Sequence, residues 1–192
     1  AQNVAFVKNM ISHSVDRSPA FSAGTGIMAN NYIYDSGGTL RGEDVSQDKG
    51  PIELSIVGNV VDHSSRIPSG PVINFRSRYL NGTKYYISDD NMSDDTVITD
   101  PWNSPEHVRQ CYNWGTCEDL PAEKIAATRE EANWPTGYDT MDVALVRDHV
   151  LNNVGARPAD RDPVDRRIIN NATSGVAHVI ESQDEVGGWP VL

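Results

Sequence analysis

The sequence predicts an all-β fold wound as a right-handed parallel β-helix, followed by a mostly irregular, partly helical C-terminal extension. Two observations carry the first part. Asparagine recurs where two short apolar runs meet, at Asn9, Asn31 and Asn59 with a weaker copy at Asn91, at intervals of 22, 28 and 32 residues. Periods of about 20 to 50 residues mark stacked units that bury apolar faces only against their neighbours. Hairpin signals are sparse, Asn81-Gly82 being the single such pair between apolar runs. An antiparallel sandwich of ordinary hairpins is the alternative reading.

The units follow in order. Val4-Ala5-Phe6-Val7 precedes Asn9 and Met10-Ile11 follows it; Ile27-Met28-Ala29 and Tyr32-Ile33 flank Asn31; Leu54-Ser55-Ile56-Val57 and Val60-Val61 flank Asn59. Asparagine tolerates left-handed backbone angles, so it can turn the chain between strands. Stacked amides can also hydrogen-bond from one coil to the next. Residues 1–100 therefore read as coils and residues 101–192 as the extension.

Proline and tryptophan enter at Asp100-Pro101-Trp102, a wrapping segment. Short helices are expected near 121–129, 139–154 and 162–170. In the second, Met141, Leu145, Val146, His149 and Val150 recur at helical spacing and Gly155 supplies a C-cap. In the third, Pro163 suits the first turn. The extension reads as an arm lying across the outside of the coils and capping the last one. Trp102, Trp114 and Trp134 read as packing residues, with stacking on sugar rings as the alternative.

The chain has 192 residues, enough for a real core, and a formal charge of −11 from 27 acidic and 16 basic side chains. Such a chain repels polyanions unless cations intervene, which argues against nucleic acid as a partner. It shows no transmembrane stretch, so no membrane partner is expected.

Asn9-Met10-Ile11-Ser12-His13-Ser14-Val15-Asp16-Arg17-Ser18-Pro19, continued by Gly24 and Ile27 to Tyr34, resembles the active-site coil of the pectate lyase superfamily of extracellular parallel β-helix polysaccharide lyases. Val154-Gly155-Ala156-Arg157-Pro158 with Asp160-Arg161-Asp162, and Ser182-Gln183-Asp184-Glu185-Val186-Gly187-Gly188-Trp189-Pro190, resemble the tail of bacterial members. The resemblance covers both ends of the chain and implies a secreted, extracellular or periplasmic protein acting on an acidic polysaccharide. Complete members have more coils, so an N-terminal portion is expected to pack against residues 1 to 35.

Lyases of this kind cut a uronate polymer by β-elimination. A base takes the C5 proton beside the carboxylate and the oxygen on C4 leaves, which requires cations at that carboxylate. The resemblance implies calcium for this purpose, with ligands upstream of this chain, and assigns the base role to Arg17. A guanidinium is almost always protonated, so that role needs further cations beside it; without them Arg17 is an electrostatic clamp. Pro19 fixes the turn that presents it. A second arginine is expected shortly after, where Ala20, Phe21 and Ser22 stand. Arg76 and Arg78, on one face of a strand, and Lys8 are the candidates to grip substrate in its place. A non-catalytic carbohydrate-binding β-helix is the rival reading, and a glycosidase with paired carboxylates is a third.

Cys111 and Cys117 flank five residues. In an exported protein they can close a disulfide loop; a metal site with His107 and two unpaired thiols are the alternatives. Asp89, Asp90, Asp94 and Asp95 lack the spacing of a calcium-binding loop and read as solvated. Asn81, Asn91 and Asn171 head formal glycosylation sequons that are expected to stay bare.

Overall fold

The computed structural model describes residues 3–22, 24–37, 40–44, 50–77, 82–111, 138–176 and 178–189. The protein is mostly β, with three parallel sheets and few helices. Strands β1 (Val4–Val7), β4 (Gly24–Ala29), β7 (Ile52–Val57) and β10 (Lys84–Ile87) form the first sheet in that order. The second holds β2 (Met10–Ser12), β5 (Tyr32–Tyr34), β8 (Val60–Asp62) and β11 (Met92–Ser93). The third holds β3 (Ala20–Phe21), β6 (Leu40–Asp44), β9 (Ile73–Ser77) and β13 (Val108–Cys111). Up to β11 the chain visits the three sheets in turn and adds one strand to each on every pass. All these pairings are parallel, which removes the antiparallel sandwich.

One antiparallel pair occurs among the described strands, β11 with β12 (Thr96–Val97). Asp94 and Asp95 turn it with φ of 44° and 67°. Two positive φ values match the turn to strand twist, and here Asp-Asp does what Asn-Gly usually does. Both side chains are exposed, in keeping with the solvated loop expected from sequence, and the loop itself is a tight turn.

The turn from the first sheet to the second is where the recurring asparagines sit. Asn9 donates its backbone N–H to Asn31 Oδ1, Asn31 to Asn59 Oδ1 and Asn59 to Asn91 Oδ1, each at 3.0 Å. The side-chain amides repeat the pattern at 3.4, 2.9 and 3.1 Å. Asn31, Asn59 and Asn91 are fully buried, and burial of an amide is tolerated only when its bonds are made. The left-handed angle, however, belongs to the residue before: Lys8 (φ 56°), Asn30 (φ 53°) and Gly58 (φ 57°) bend the chain. The ladder asparagines instead bind the bend to the next one.

Strand alternation divides the apolar residues. Met28, Leu54, Ile56 and Tyr85 of the first sheet meet Ile33 and Val61 of the second and Leu40, Ile73 and Phe75 of the third in one core. Phe75 and Tyr85 stack with ring centroids 3.8 Å apart. Gly42 makes room for this, because a Cβ there would lie 2.5 Å from Tyr85 Cε1. Tyr32, Tyr34, Val60 and Met92 point the other way and form a second cluster with Val143, Val146 and Val150.

Those valines lie on helix α1 (Val143–Asn153), N-capped by Asp142, whose carboxylate accepts from Ala144 N. The buried stripe is Val143, Val146 and Val150, with Leu145 59 % exposed; the spacing read from the sequence was shifted because it counted Leu145 as inward. Helix α2 (Pro163–Ser174) starts on Asp162, which accepts from Val164 N and Asp165 N, and ends at Gly175. Arg161 closes α1, donating to Leu151 O and Val154 O. The arm thus docks on the outer face of the second sheet. The third sheet continues past residue 100 through β13, and the expected helix over 121–129 lies outside the described residues, as do Trp114 and Trp134.

Candidate functional site

Residues 13–19 carry the chain from β2 to β3 and hold Arg17. The loop is tied down along its length. Gly37 N donates to Ser14 O at 2.9 Å, Ser14 Oγ to Asp16 O at 3.0 Å, and Arg41 N to Pro19 O at 3.0 Å. The buried Ser18 hydroxyl bonds that of Ser36. Arg17 takes the left-handed conformation, φ 58°. An ordinary side chain adopts that angle only where its surroundings impose it.

On β6, Arg41 and Glu43 share one face by strand alternation, while Gly42 turns inward to Tyr85. Arg41 is only 5 % exposed and joins two carboxylates, Nη2 to Asp16 Oδ1 at 2.5 Å and Nη1 to Glu43 Oε1 at 3.1 Å. Arg17, 50 % exposed, approaches the same acids at longer range, Nη1 to Asp16 Oδ2 at 3.2 Å and Nε to Glu43 Oε2 at 3.9 Å. Burial pushes the Asp16 carboxyl up, but the hydrogen bond and charge of Arg41, helped by Arg17, outweigh it and hold Asp16 below its ordinary value.

A second network lies at the head of the loop. Asp35, fully buried, takes two bonds from Arg66 Nε at 3.2 and 2.9 Å and one from Ser64 Oγ. His13 Nδ1 comes within 3.1 Å of Asp35 Oδ2, in a direction that does not make a hydrogen bond. Its Nε2 faces Asn171 Nδ2 of α2 at 3.0 Å. Burial holds His13 below its usual value; Asp35 opposes this, and Arg66 and Arg167 add to it.

Of the residues expected from sequence, Arg17 is half-exposed above this double network. Lys8 lies elsewhere, at the turn between the first and second sheets, its ammonium 6.0 Å from the Tyr138 ring centroid. Arg76 is on β9, in register with Glu43 on one side and Cys111 on the other. Its side chain, Arg78, the Cys111 side chain and Cys117 lie outside the described residues, and with them the expected disulfide. Sequence reading missed Arg41 and Glu43. Their alternation on a strand was visible, but the meeting of Arg41 with Asp16, in the loop before β3, was not.

Calcium does not fit the acids around Arg17. Asp16 and Glu43 are engaged by guanidinium groups, and no cluster of three or more His, Cys, Asp or Glu side chains suited to a metal occurs among the described residues. Asp90 accepts from Gly58 N, Asp94 pairs with His63, and Asp95 pairs with Arg147. One sequon is closed by packing, since Asn91 is a buried ladder residue, while the half-buried Asn171 turns its side-chain amide to His13. Compared with models of protein families, with curated proteins and with solved structures, the chain matches none, so the likeness to pectate lyases stands on its sequence motifs alone.

Proposed function

We propose that the three sheets are coils of a right-handed parallel β-helix and that the chain is part of a polysaccharide lyase, acting outside the cell on a uronate polymer of the pectate type. The cyclic order of the strands and the asparagine ladder support the architecture. The observation that carries the function is Arg17: a half-exposed guanidinium, held in a fixed backbone conformation by a tethered loop, at the position where the resembling family keeps its reactive arginine.

The chemistry assigned to Arg17 follows from its neighbours. They are carboxylates, so Arg17 enters the site as a cation and serves best as the group that meets the substrate carboxylate. As the C5 proton leaves to a base outside this network, charge builds on that carboxylate. The C5–H electron pair becomes the C4–C5 double bond, and the C4–oxygen bond breaks with its electron pair leaving on the oxygen, which takes a proton from water. A guanidinium opposite the carboxylate lowers the barrier for the first of these events. Arg76, Arg78 and Lys8 remain proposed substrate contacts. Calcium, if part of the reaction, is held by residues other than those around Arg17, and a further portion of the protein beside the edge strands β1, β2 and β3 is the expected place for them.

Polygalacturonate added with and without calcium tests this, read by the ultraviolet absorbance of the unsaturated product. Product that disappears on Arg17→Ala supports the reading; no product under either condition sinks the lyase. Polymer binding without product would support a non-catalytic carbohydrate-binding role, which the existing ion pairs of Arg17 favour as a second reading.

A further inference from the structure

Two arginines share two carboxylates beside the Arg17 loop, and they do so unequally. For both Asp16 and Glu43 the closer contact goes to Arg41: 2.5 against 3.2 Å for Asp16, and 3.1 against 3.9 Å for Glu43. Exposure is divided the other way, Arg41 at 5 % and Arg17 at 50 %. A guanidinium has a planar fork of donors that can engage two carboxylates at once. Coulomb attraction is strongest where water is excluded, so the buried arginine binds these acids more firmly than the exposed one. We infer that Arg41 is a positioning residue for Arg17: it engages Asp16 and Glu43 more closely than Arg17 does, which weakens the hold of these two acids on the half-exposed Arg17 guanidinium.

This inference rests on the reading of Arg17 as the ligand-facing cation and adds to it a residue that competes for two of its carboxylate partners. Its consequence is a pair of opposite signs. Losing Arg41 strengthens the hold of Asp16 on Arg17, whereas losing Asp16 removes that hold. A purely structural role for the network would make both changes act alike.

The test reads Arg17 directly, by the rate at which p-hydroxyphenylglyoxal modifies it, followed by peptide mass mapping of the full chain. Arg41→Gln is expected to slow modification about threefold and Asp16→Asn to speed it by a similar factor, the range open to a partly exposed ion pair. Arg41→Lys should fall between wild type and Arg41→Gln, because an ammonium lacks the fork. An unchanged rate in Arg41→Gln, with its circular dichroism intact, overturns the inference. If that variant does not fold, Asp16→Asn decides alone, and a rate equal to or below wild type overturns it. Titration with polygalacturonate runs in parallel: failure of the wild type to bind, with the modification pattern as expected, defeats the uronate reading and leaves the role of Arg41 standing.

Discussion

Asn31 gives both its backbone N–H and its side-chain amide to one atom, Asn59 Oδ1, at 3.0 and 2.9 Å, and both residues are fully buried. Asn59 in turn donates to Met28 O at 2.9 Å and Asn91 Oδ1 at 3.1 Å. Every bond its side chain can make to the neighbouring strand turns is in use.

Asn59→Ala should therefore be among the costliest substitutions in the chain. It strands buried donors and acceptors on the strand turns to either side, at about 1 to 3 kcal/mol each, for a total of about 3 to 5 kcal/mol. Asn9→Ala, at a half-buried position where the side chain makes a weaker 3.4 Å bond, should cost about 1 kcal/mol. Urea denaturation of both variants checks the contrast; equal losses would mean that the ladder is not a graded, buried network.

Asn30 anchors the arm. Its Oδ1 accepts from Met141 N at 2.9 Å and Tyr138 Oη at 3.1 Å, while its Nδ2 donates to Gly58 O and Met141 O, both at 3.1 Å. Asn30→Ala should loosen residues 138–141 and the start of α1 with little effect on the sheets. Hydrogen exchange should rise at least about tenfold in α1, as expected when local opening becomes about 1.4 kcal/mol or more easier, while the amides of β7 stay protected. Equal exchange in both would contradict this.

The C-terminal end of α1 depends on Arg161. Its guanidinium satisfies Leu151 O at 2.7 Å and Val154 O at 3.0 and 3.1 Å, carbonyls that no helical N–H can reach. Arg161→Ala should lower the melting free energy by about 1 to 2 kcal/mol, and Arg161→Lys should recover only part of it. A lysine variant as stable as wild type would show that charge alone, not the fork, closes the helix.

Acidification should weaken the protein through His13. Its folded value is held below the ordinary 6.5, first by burial, against the pull of Asp35. The unfolded state then binds the proton more readily, so the contribution is present above the ordinary value and is lost as pH falls below it toward the folded one. Between about pH 7 and about pH 5, stability should fall more steeply in wild type than in His13→Gln, measured by denaturant titration at each pH. Parallel slopes would remove His13 from this role. Asp16, whose value is also held low, acts in the same direction at more acid pH.

What the sequence determined by itself is local and periodic. An asparagine between two apolar runs, repeated four times, was enough to mark the strand junctions and to anticipate amides bonding from one unit to the next, because each unit repeats the same local chemistry. Asp162-Pro163 and Gly155 marked helix ends for the same reason, since caps act within a turn of the residues that make them. The tertiary structure alone decided that the residue before Asn9, Asn31 and Asn59 takes the left-handed bend, that Asn30 serves the arm while Asn31 serves the ladder, and that Arg41 meets Asp16 and Glu43 more closely than Arg17 does. These depend on register between segments 22 to 111 residues apart. A pairing of charges, or of one amide with the arm, leaves no periodic trace in the chain, because either partner could be satisfied equally well by water until the strands are stacked.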